Sequence, residues 1–369
     1  FCKMKTAFQA AEQFVGKGDK IAGIERFGHG IIHDTYLVVL EHQAKQFILQ
    51  RINIYIFKDP AAIMHNLRLV SEHVRSRIRI EGNWFDTEWQ MLQVIPTRDG
   101  RDFFVDAKEN FWRAIHFIRD AYPLERISSL AEAEEVGRAV GIFHRLTRDL
   151  KPELLRETLP GFHNIEQYLQ HYDAVRGRMG SFRYADEFCR NFIAARRSWA
   201  PVLEKAREGK ALRAQVVHGD PKINNIMIDS RSGKAVSIID LDTMMPGLVH
   251  YDIGDCLRSC CNIMGEEAFD PGGVRFDLGR CKAVLTGYTT VARSFLTSRD
   301  FDFLFDAVRL IPFELGLRFY TDFLEGNRYF EVSRHSQNLD RARVQFKLVE
   351  CIEQQEEAVK LLIEECRGI

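Results

Sequence analysis

Residues 216–229 read VVHGDPKINNIMID, and residues 235–240, AVSIID, follow closely. Two β-branched residues run into His218, Gly219 and Asp220. Lys222, Asn224 and Asn225 come next, and apolar residues resume at Ile226. Phosphoryl transfer from ATP needs this set of side chains: a carboxylate to orient and deprotonate the attacking hydroxyl, and hard oxygen ligands to hold Mg²⁺ against the phosphates. Asp220 is placed to be the base. Asn225, at the far end of the loop, can turn its amide oxygen to the metal, and Asp240, ending the next apolar run, supplies the metal carboxylate. Lys222, two residues past the base, can reach the γ-phosphate. A surface β-turn would also use Asp and Asn, but would not require the lysine or the second carboxylate. His218 reads as a brace for the loop, and Asp242 as a turn residue.

Such a loop needs a scaffold on both sides. The first third of the chain reads as a small antiparallel sheet. Residues 22–41 give a strand, a turn at Gly28 and Gly30, and a second strand through residues 36–40; FILQRIN, 47–53, is a third. Pro60 opens a helix with Ile63, Leu67, Val70 and Val74 on one face. Residues 91–118 read as further strands, with Asp99-Gly100 as a hairpin turn. RDAYPLE, 119–125, reads as a connector. After it, Ser129 caps an amphipathic helix, with Glu132 as capping-box partner and Leu130, Val136, Val140, Phe143 and Leu146 sharing a face. Apart from the loop and its hairpin, the rest reads as helical. The expected fold is α+β: a sheet-bearing N-lobe with a single helix, 1–119, for the nucleotide, and a larger helical C-lobe, 120–369, with the catalytic loop, metal site and acceptor pocket.

Composition removes several classes. The chain has 369 residues, 46% hydrophobic, and a net charge of −1, unlike the basic surface of a dedicated nucleic-acid binder. Eight cysteines are too few and too scattered for a disulfide framework. Cys256, Cys260 and Cys261 lack zinc-site spacing and read as packed, reduced thiols. No stretch is long and apolar enough to cross a membrane, and the first residues carry no signal-peptide pattern, so the expected setting is soluble and cytoplasmic. No Walker A sequence occurs, so the phosphates are not held by a P-loop.

VVHGDPKINNIMID with SIIDLD resembles the catalytic motifs of the aminoglycoside phosphotransferase and choline kinase superfamily, which has the protein-kinase-like fold. ERFGHGIIHDTYLV, IIDLDTMMPGLVHYDIGDCLR, FELGLRFYTDFLEGNRYF and RARVQFKLV extend the resemblance over nearly the whole chain. IDLDTMMPG and the RF…D-x-L-E-G segment are most similar to N-acetylhexosamine 1-kinases. The resemblance implies ATP and Mg²⁺ as cofactors, and an acceptor such as GlcNAc or GalNAc phosphorylated at its anomeric hydroxyl.

On the nucleotide side, the resemblance makes Gly28 and Gly30 a lid over the phosphates, and His116 and Ile118 the backbone partners of adenine. It puts Gln50 where kinases of this fold place a lysine or arginine, with Arg51 beside it. Strand alternation turns Arg51 away if Gln50 faces the cleft, which leaves Lys222 to supply the charge. Arg68 stands where the helix's acidic partner is expected, with Glu72 one turn on. On the acceptor side, Glu314, Arg318 and Asp322 form a polar stripe in an aromatic-rich helix, and the resemblance points to Arg318 and Tyr329 as sugar contacts. Arg258 is a further candidate. Asp252 buttresses the catalytic loop in this superfamily, and with Asp255 also reads as a helix cap. The 1-kinases carry histidine at the position of Ile31; here His29 and His33 flank it. Choline, ethanolamine, homoserine or an aminoglycoside remain alternative acceptors, and a non-catalytic nucleotide-binding regulator is the alternative from another class.

Overall fold

The computed structural model describes residues 2–28, 32–41, 45–81, 87–178, 186–268 and 271–368. Its first element is one that the sequence reading lacks. Helix α1 (Cys2–Ala11) sets Ala7, Ala10 and Ala11, with Phe14 just beyond, against one sheet face. That face is made by alternate residues of β2 (Asp34–Leu40), β3 (Gln46–Ile52) and β6 (Phe111–His116), among them Val38, Phe47, Leu49 and Ala114. β1 (Ile21–Arg26) precedes them at the edge, and short strands β4 (Val94–Ile95) and β5 (Phe104–Val105) both pair with β6. The order is β1-β2-β3-β6-β4, all antiparallel. Helix α2 (Pro60–Glu81) buries Ile63, Leu67, Val70 and Val74. Leu67, Val70 and Val74 pack with Ile48 and Ile115, from the opposite sheet face. The sheet therefore carries two helices rather than one. Asp99-Gly100 does sit in a tight turn, with Gly100 at φ 83°, but the strands on its two sides do not pair with each other.

The connector is also more than a link. β7 (Ala121–Pro123) pairs with β9 (Ile226–Asp229), which pairs with β10 (Ala235–Ile238), so the segment is stitched to the catalytic hairpin. β8 (Gln215–Val217) pairs with β11 (Met245–Gly247) on the loop's other side. Helix α3 (Leu130–Thr147) is capped by the Ser129 side chain, which accepts the Glu132 N–H at 3.1 Å. The Glu132 carboxylate returns to Ser128 rather than Ser129. Leu130 is exposed, whereas Val136, Val140, Phe143 and Leu146 are buried. The helical part continues through α4 (Ile165–Arg178), α5 (Glu187–Arg196), α6 (Val202–Glu208), α7 (Val249–Cys261), α8 (Leu278–Ala292), α9 (Ser298–Asp302), α10 (Leu304–Leu324), α11 (Gln337–Gln354) and α12 (Glu356–Gly368). No described helix is long and apolar enough to cross a membrane. Cys256, Cys260 and Cys261 are buried free thiols along α7. One core cluster runs from the sheet, through α2 and α3, into the hairpin strands and α7 and α8. The β9–β10 hairpin is thus packed against both parts of the molecule.

Candidate active site

The loop after β8 is held from below by one buried carboxylate. Asp252, in the first turn of α7, accepts the backbone N–H of His218 at 2.7 Å and of Gly219 at 2.8 Å. It also accepts His144 Nε2 at 2.8 Å. Burial opposes its charge, but His144, His218 and these donors hold its carboxyl below the usual carboxylate range. Neither Asp252 nor Asp255 caps the helix. Leu248 is the residue at its start, and Asp255 accepts Arg258 Nε. Gly219 has φ 88°, and a Cβ there would lie 2.8 Å from the Thr243 carbonyl oxygen, so only glycine fits. His218 is fully buried with both ring nitrogens spent. Nε2 donates to the Ile239 carbonyl at 2.9 Å, and Nδ1 accepts the Asp220 N–H at 3.2 Å.

The braced loop carries Asp220, partly exposed. Lys222 Nζ donates to Asp220 Oδ2 at 2.6 Å. Burial works against the Asp220 charge, and Lys222, His218 and Arg258 more than offset it, holding the carboxyl below its ordinary value. Lys222 stays protonated well beyond its ordinary range: burial disfavours its charge, but Asp220 and Asp240 both favour it. Asn225 Nδ2 donates to the Asp220 carbonyl at 2.8 Å, a bond that leaves the amide oxygen free for another partner.

Asp240 is tied to the same loop by its neighbour. The Ile239 N–H donates to the Asn225 carbonyl at 2.8 Å while the Ile239 carbonyl accepts His218. Asp240 itself is in the left-handed region, φ 62° and ψ 55°, which turns its carboxylate out of the strand. Among the described residues it accepts no hydrogen bond. Burial, and then the nearby charges of Asp242 and Asp220, push its carboxyl above the usual range, against the pull of Lys222 and His33. A half-buried carboxylate without a donor, just past the hairpin strand next to the loop that carries the Asn225 amide oxygen, fits a hard divalent cation such as Mg²⁺, which takes one or two protein oxygens and completes its shell with phosphates and water. His33, Asp240 and Asp242 also have ligand atoms within 4.8 Å of one another. His33 is spent, however: its Nδ1 accepts the Asn53 N–H at 3.0 Å, and its Nε2 meets Asp242 Oδ2 at 2.7 Å. Among these three, Asp240 is the one whose carboxylate has no hydrogen-bond donor among the described residues.

Asp242 is not a turn residue. It is buried, and Arg113 of β6 donates Nη1 to its Oδ1 at 2.5 Å and Nη2 to its Oδ2 at 2.9 Å. Arg113 stands directly opposite Gln50 in the sheet and donates to the Gln50 amide oxygen from Nε at 2.9 Å and Nη2 at 2.7 Å. The cation beside Gln50 thus comes from the neighbouring strand. Arg51 points to the other face, where it bonds Asp34 and, at 3.1 Å, Asn110, so it drops out as a phosphate grip. Arg68 and Glu72 pair with each other, and Arg68 with Asp102, on an exposed face away from Gln50. What joins α2 to the metal-strand loop is the buried Asn66, whose side chain donates to the Met244 and Arg156 carbonyls at 2.9 and 2.8 Å. Gly28 has φ 75°; Gly30, His29 and Ile31 lie outside the described residues. The His116 N–H is already spent on the Gln93 carbonyl at 2.9 Å. Ile118, beyond the strand end, keeps its N–H and carbonyl without partners among the described residues.

The polar stripe of α10 is buried rather than solvated. Arg318 lies within four rings, its guanidinium carbon 5.0 Å from the centre of Phe162, 5.2 Å from Tyr168, 5.5 Å from Phe330 and 5.7 Å from Tyr329. Its one ion pair is a loose 3.7 Å to Glu314, and it makes no hydrogen bond among the described residues. Burial disfavours its charge, but Tyr168, Tyr329, Glu314 and Asp220 raise its pKa, so it lies within electrostatic reach of the loop carboxylate. Tyr329 is 40% exposed, at the rim. Asp322 is fully committed elsewhere. It accepts the backbone N–H groups of Arg328, Tyr329 and Phe330 and Asn338 Nδ2, shaping the loop that carries the rim aromatics. Arg258 is buried between Asp255 and Glu266, at 2.7 and 2.8 Å, and is committed there rather than to an acceptor. Glu314 meets His163 Nδ1 at 3.1 Å.

A small antiparallel-sheet lobe carrying two helices, a braced His-Gly-Asp loop and a helical lobe define a protein-kinase-like phosphotransferase. Residues 23–288 match the phosphotransferase enzyme family (APH), and the chain belongs to that family. Similar folds include a microcompartment-associated aminopropanol kinase, with TM-score 0.63 at 18% identity over 97% of this chain and 99% of the other. Choline kinase from Cryptosporidium parvum Iowa II gives 0.60 at 11% identity, over 100% and 98% of the two chains. The GDP complex of aminoglycoside 2'-phosphotransferase-IIIa gives 0.59 at 14% identity, over 89% and 93%.

Proposed function

We propose that this chain transfers the γ-phosphoryl group of ATP, with Mg²⁺, to the anomeric hydroxyl of an N-acetylhexosamine. Residues 1–119 hold the nucleotide and 120–369 the acceptor. Asp220 orients and deprotonates the hydroxyl, Asn225 and Asp240 offer oxygens to the metal, and Lys222 neutralises charge on the transferred group. Ile118 offers backbone groups to adenine. Arg113 brings positive charge beside Gln50 and holds Asp242 in place.

The observation that carries the choice of acceptor is Arg318. An aromatic cage of this kind receives a quaternary or primary ammonium when it is vacant. Here the protein's own guanidinium occupies it, within electrostatic reach of the carboxylate that the acceptor must approach. A second cation would meet like charge in a poorly solvated pocket. A neutral sugar instead offers hydroxyl and acetamido oxygens to a guanidinium that has donors to spare, with the Tyr329 and Phe330 rings beside them. Glu314 and Asp322, the carboxylates that could answer a polycationic aminoglycoside, are already engaged. The aminopropanol, ethanolamine and choline kinases among the similar folds favour an amino-alcohol as the second reading, and Arg318 opposes it.

Release of ADP from ATP and Mg²⁺ over a panel of N-acetylglucosamine, N-acetylgalactosamine, choline, ethanolamine, aminopropanol, homoserine and kanamycin separates these readings. Turnover on an N-acetylhexosamine, with phosphorus NMR placing the phosphate on the anomeric carbon, supports the proposal. Turnover confined to the amines would replace it with the second reading.

A further inference from the structure

His163 lies outside the reaction platform and touches both of its working parts. It is 5% exposed, with φ 62°, and its ring stacks on Tyr251 at 4.8 Å between centres. Nε2 lies 2.8 Å from the Gly219 carbonyl oxygen, one residue before Asp220. Nδ1 lies 3.1 Å from Glu314 Oε2, one helical turn before Arg318. The preceding ring, Phe162, packs on Arg318 itself.

The partners fix the proton count. A carbonyl oxygen only accepts, so Nε2 carries a hydrogen. Glu314 brings a carboxylate to Nδ1, so the contact again needs a proton between them. His33 and His218 differ: each accepts a backbone N–H at Nδ1 and directs Nε2 to an oxygen. Among the described histidines with both ring nitrogens engaged, His163 is the one that faces a carbonyl and a carboxylate.

We infer that His163 is a positioning residue held as an imidazolium, whose two N–H groups fix the distance between the acceptor helix and the loop bearing Asp220. Loss of its proton leaves a lone pair facing either the Glu314 carboxylate or the Gly219 carbonyl, so one of the two ties is lost. The groups around it set the balance. On α10, Arg318 is the other charge, one turn past Glu314, and Glu314 favours the charged ring. From α7, Asp255 favours it, and Tyr251 stacks as a neutral phenol with its hydroxyl on Glu204 of α6. Tyr168 of α4 interacts with the His163 backbone. Burial pulls the imidazole pKa down, but Glu314, the Gly219 carbonyl and Asp255 more than reverse this and raise it above its ordinary value.

This inference rests on Asp220 being the base, and its test has one arm that needs no acceptor. In wild-type protein carrying ¹⁵N-labelled histidine, without substrate, one histidine should keep both ring nitrogens protonated at pH 7.5. That signal should be missing in His163→Gln, and in Glu314→Gln should become neutral at a pH lower by about one unit or more. A neutral tautomer of His163 at pH 7 would overturn the inference whatever the acceptor is. In the second arm, kcat with N-acetylglucosamine should fall on an alkaline limb. Glu314→Gln should move that limb to lower pH, and His163→Gln should lower kcat about tenfold or more and abolish the limb, with KM for ATP little changed. An unaltered limb in His163→Gln would contradict the positioning role. No turnover by the wild type on the sugar, with the imidazolium still seen, would overturn the choice of acceptor and leave the His163 assignment standing.

Discussion

Arg113 and Asp242 form a buried, two-pronged ion pair, 2.5 and 2.9 Å, between the N-terminal sheet and the loop just past Asp240. The same arginine holds Gln50, and the same aspartate meets His33. Four residues from four separate segments therefore set where the strand that leads to Asp240 lies against the sheet. Without Asp242, Arg113 would be a buried charge facing only a neutral amide.

Removing one partner of this pair should cost far more than a surface pair would. Arg113→Met, which strands the Asp242 charge, should lose about 3–5 kcal/mol in urea unfolding. Burial tends to raise the Asp242 carboxyl pKa, but Arg113 and His33 hold it far below the ordinary range. A depressed carboxyl pKa gives stability that is complete above the unfolded value, about 3.9, and is lost as pH falls further. The stability gap between wild type and Asp242→Asn should therefore be constant from pH 5 to 7 and shrink below about pH 4. A gap independent of pH would show that the pair carries no such linkage.

Asp240 should behave in the opposite sense. Its carboxyl pKa is raised because burial, Asp242 and Asp220 disfavour its charge. A raised carboxyl pKa means that ionisation costs folded-state stability as pH rises past the unfolded value. Asp240→Asn should thus raise the melting temperature of the metal-free protein at pH 7 while removing most of the further rise given by Mg²⁺ with ATP. Equal stabilisation of both proteins by Mg²⁺–ATP would dismiss Asp240 as a metal residue.

Asp220→Asn keeps the shape of the loop and removes the base. The rate should fall about 10²–10⁴-fold, with nucleotide affinity close to wild type. Full activity in that variant would mean that another group takes the proton.

What the sequence made legible is what lies close together along it. Asp220, Asn225 and Asp240 fall on one loop and the hairpin that follows, so their nearness along the chain could be read directly, and strand alternation already turned Arg51 away. The pairs that were not legible span long separations. Arg113 meets Asp242 across 129 residues, and His163 meets Glu314 across 151. Arg113 did leave a trace, as a lone charge in the apolar run FWRAIHF; His163 left none. Helix α1 was readable too, since Ala7, Ala10, Ala11 and Phe14 recur at helical spacing. Their small side chains made a weak pattern, and the sheet face that completes it comes from strands further on.

The most direct test of the account compares kcat/KM for N-acetylglucosamine and for choline in wild type and in Arg318→Met. The account predicts that the wild type prefers the sugar by about a hundredfold or more. The methionine, which clears the charge from the four rings, should cut kcat/KM for the sugar and raise that for choline. Choline as the better substrate of the wild-type protein, unchanged by the substitution, would contradict it.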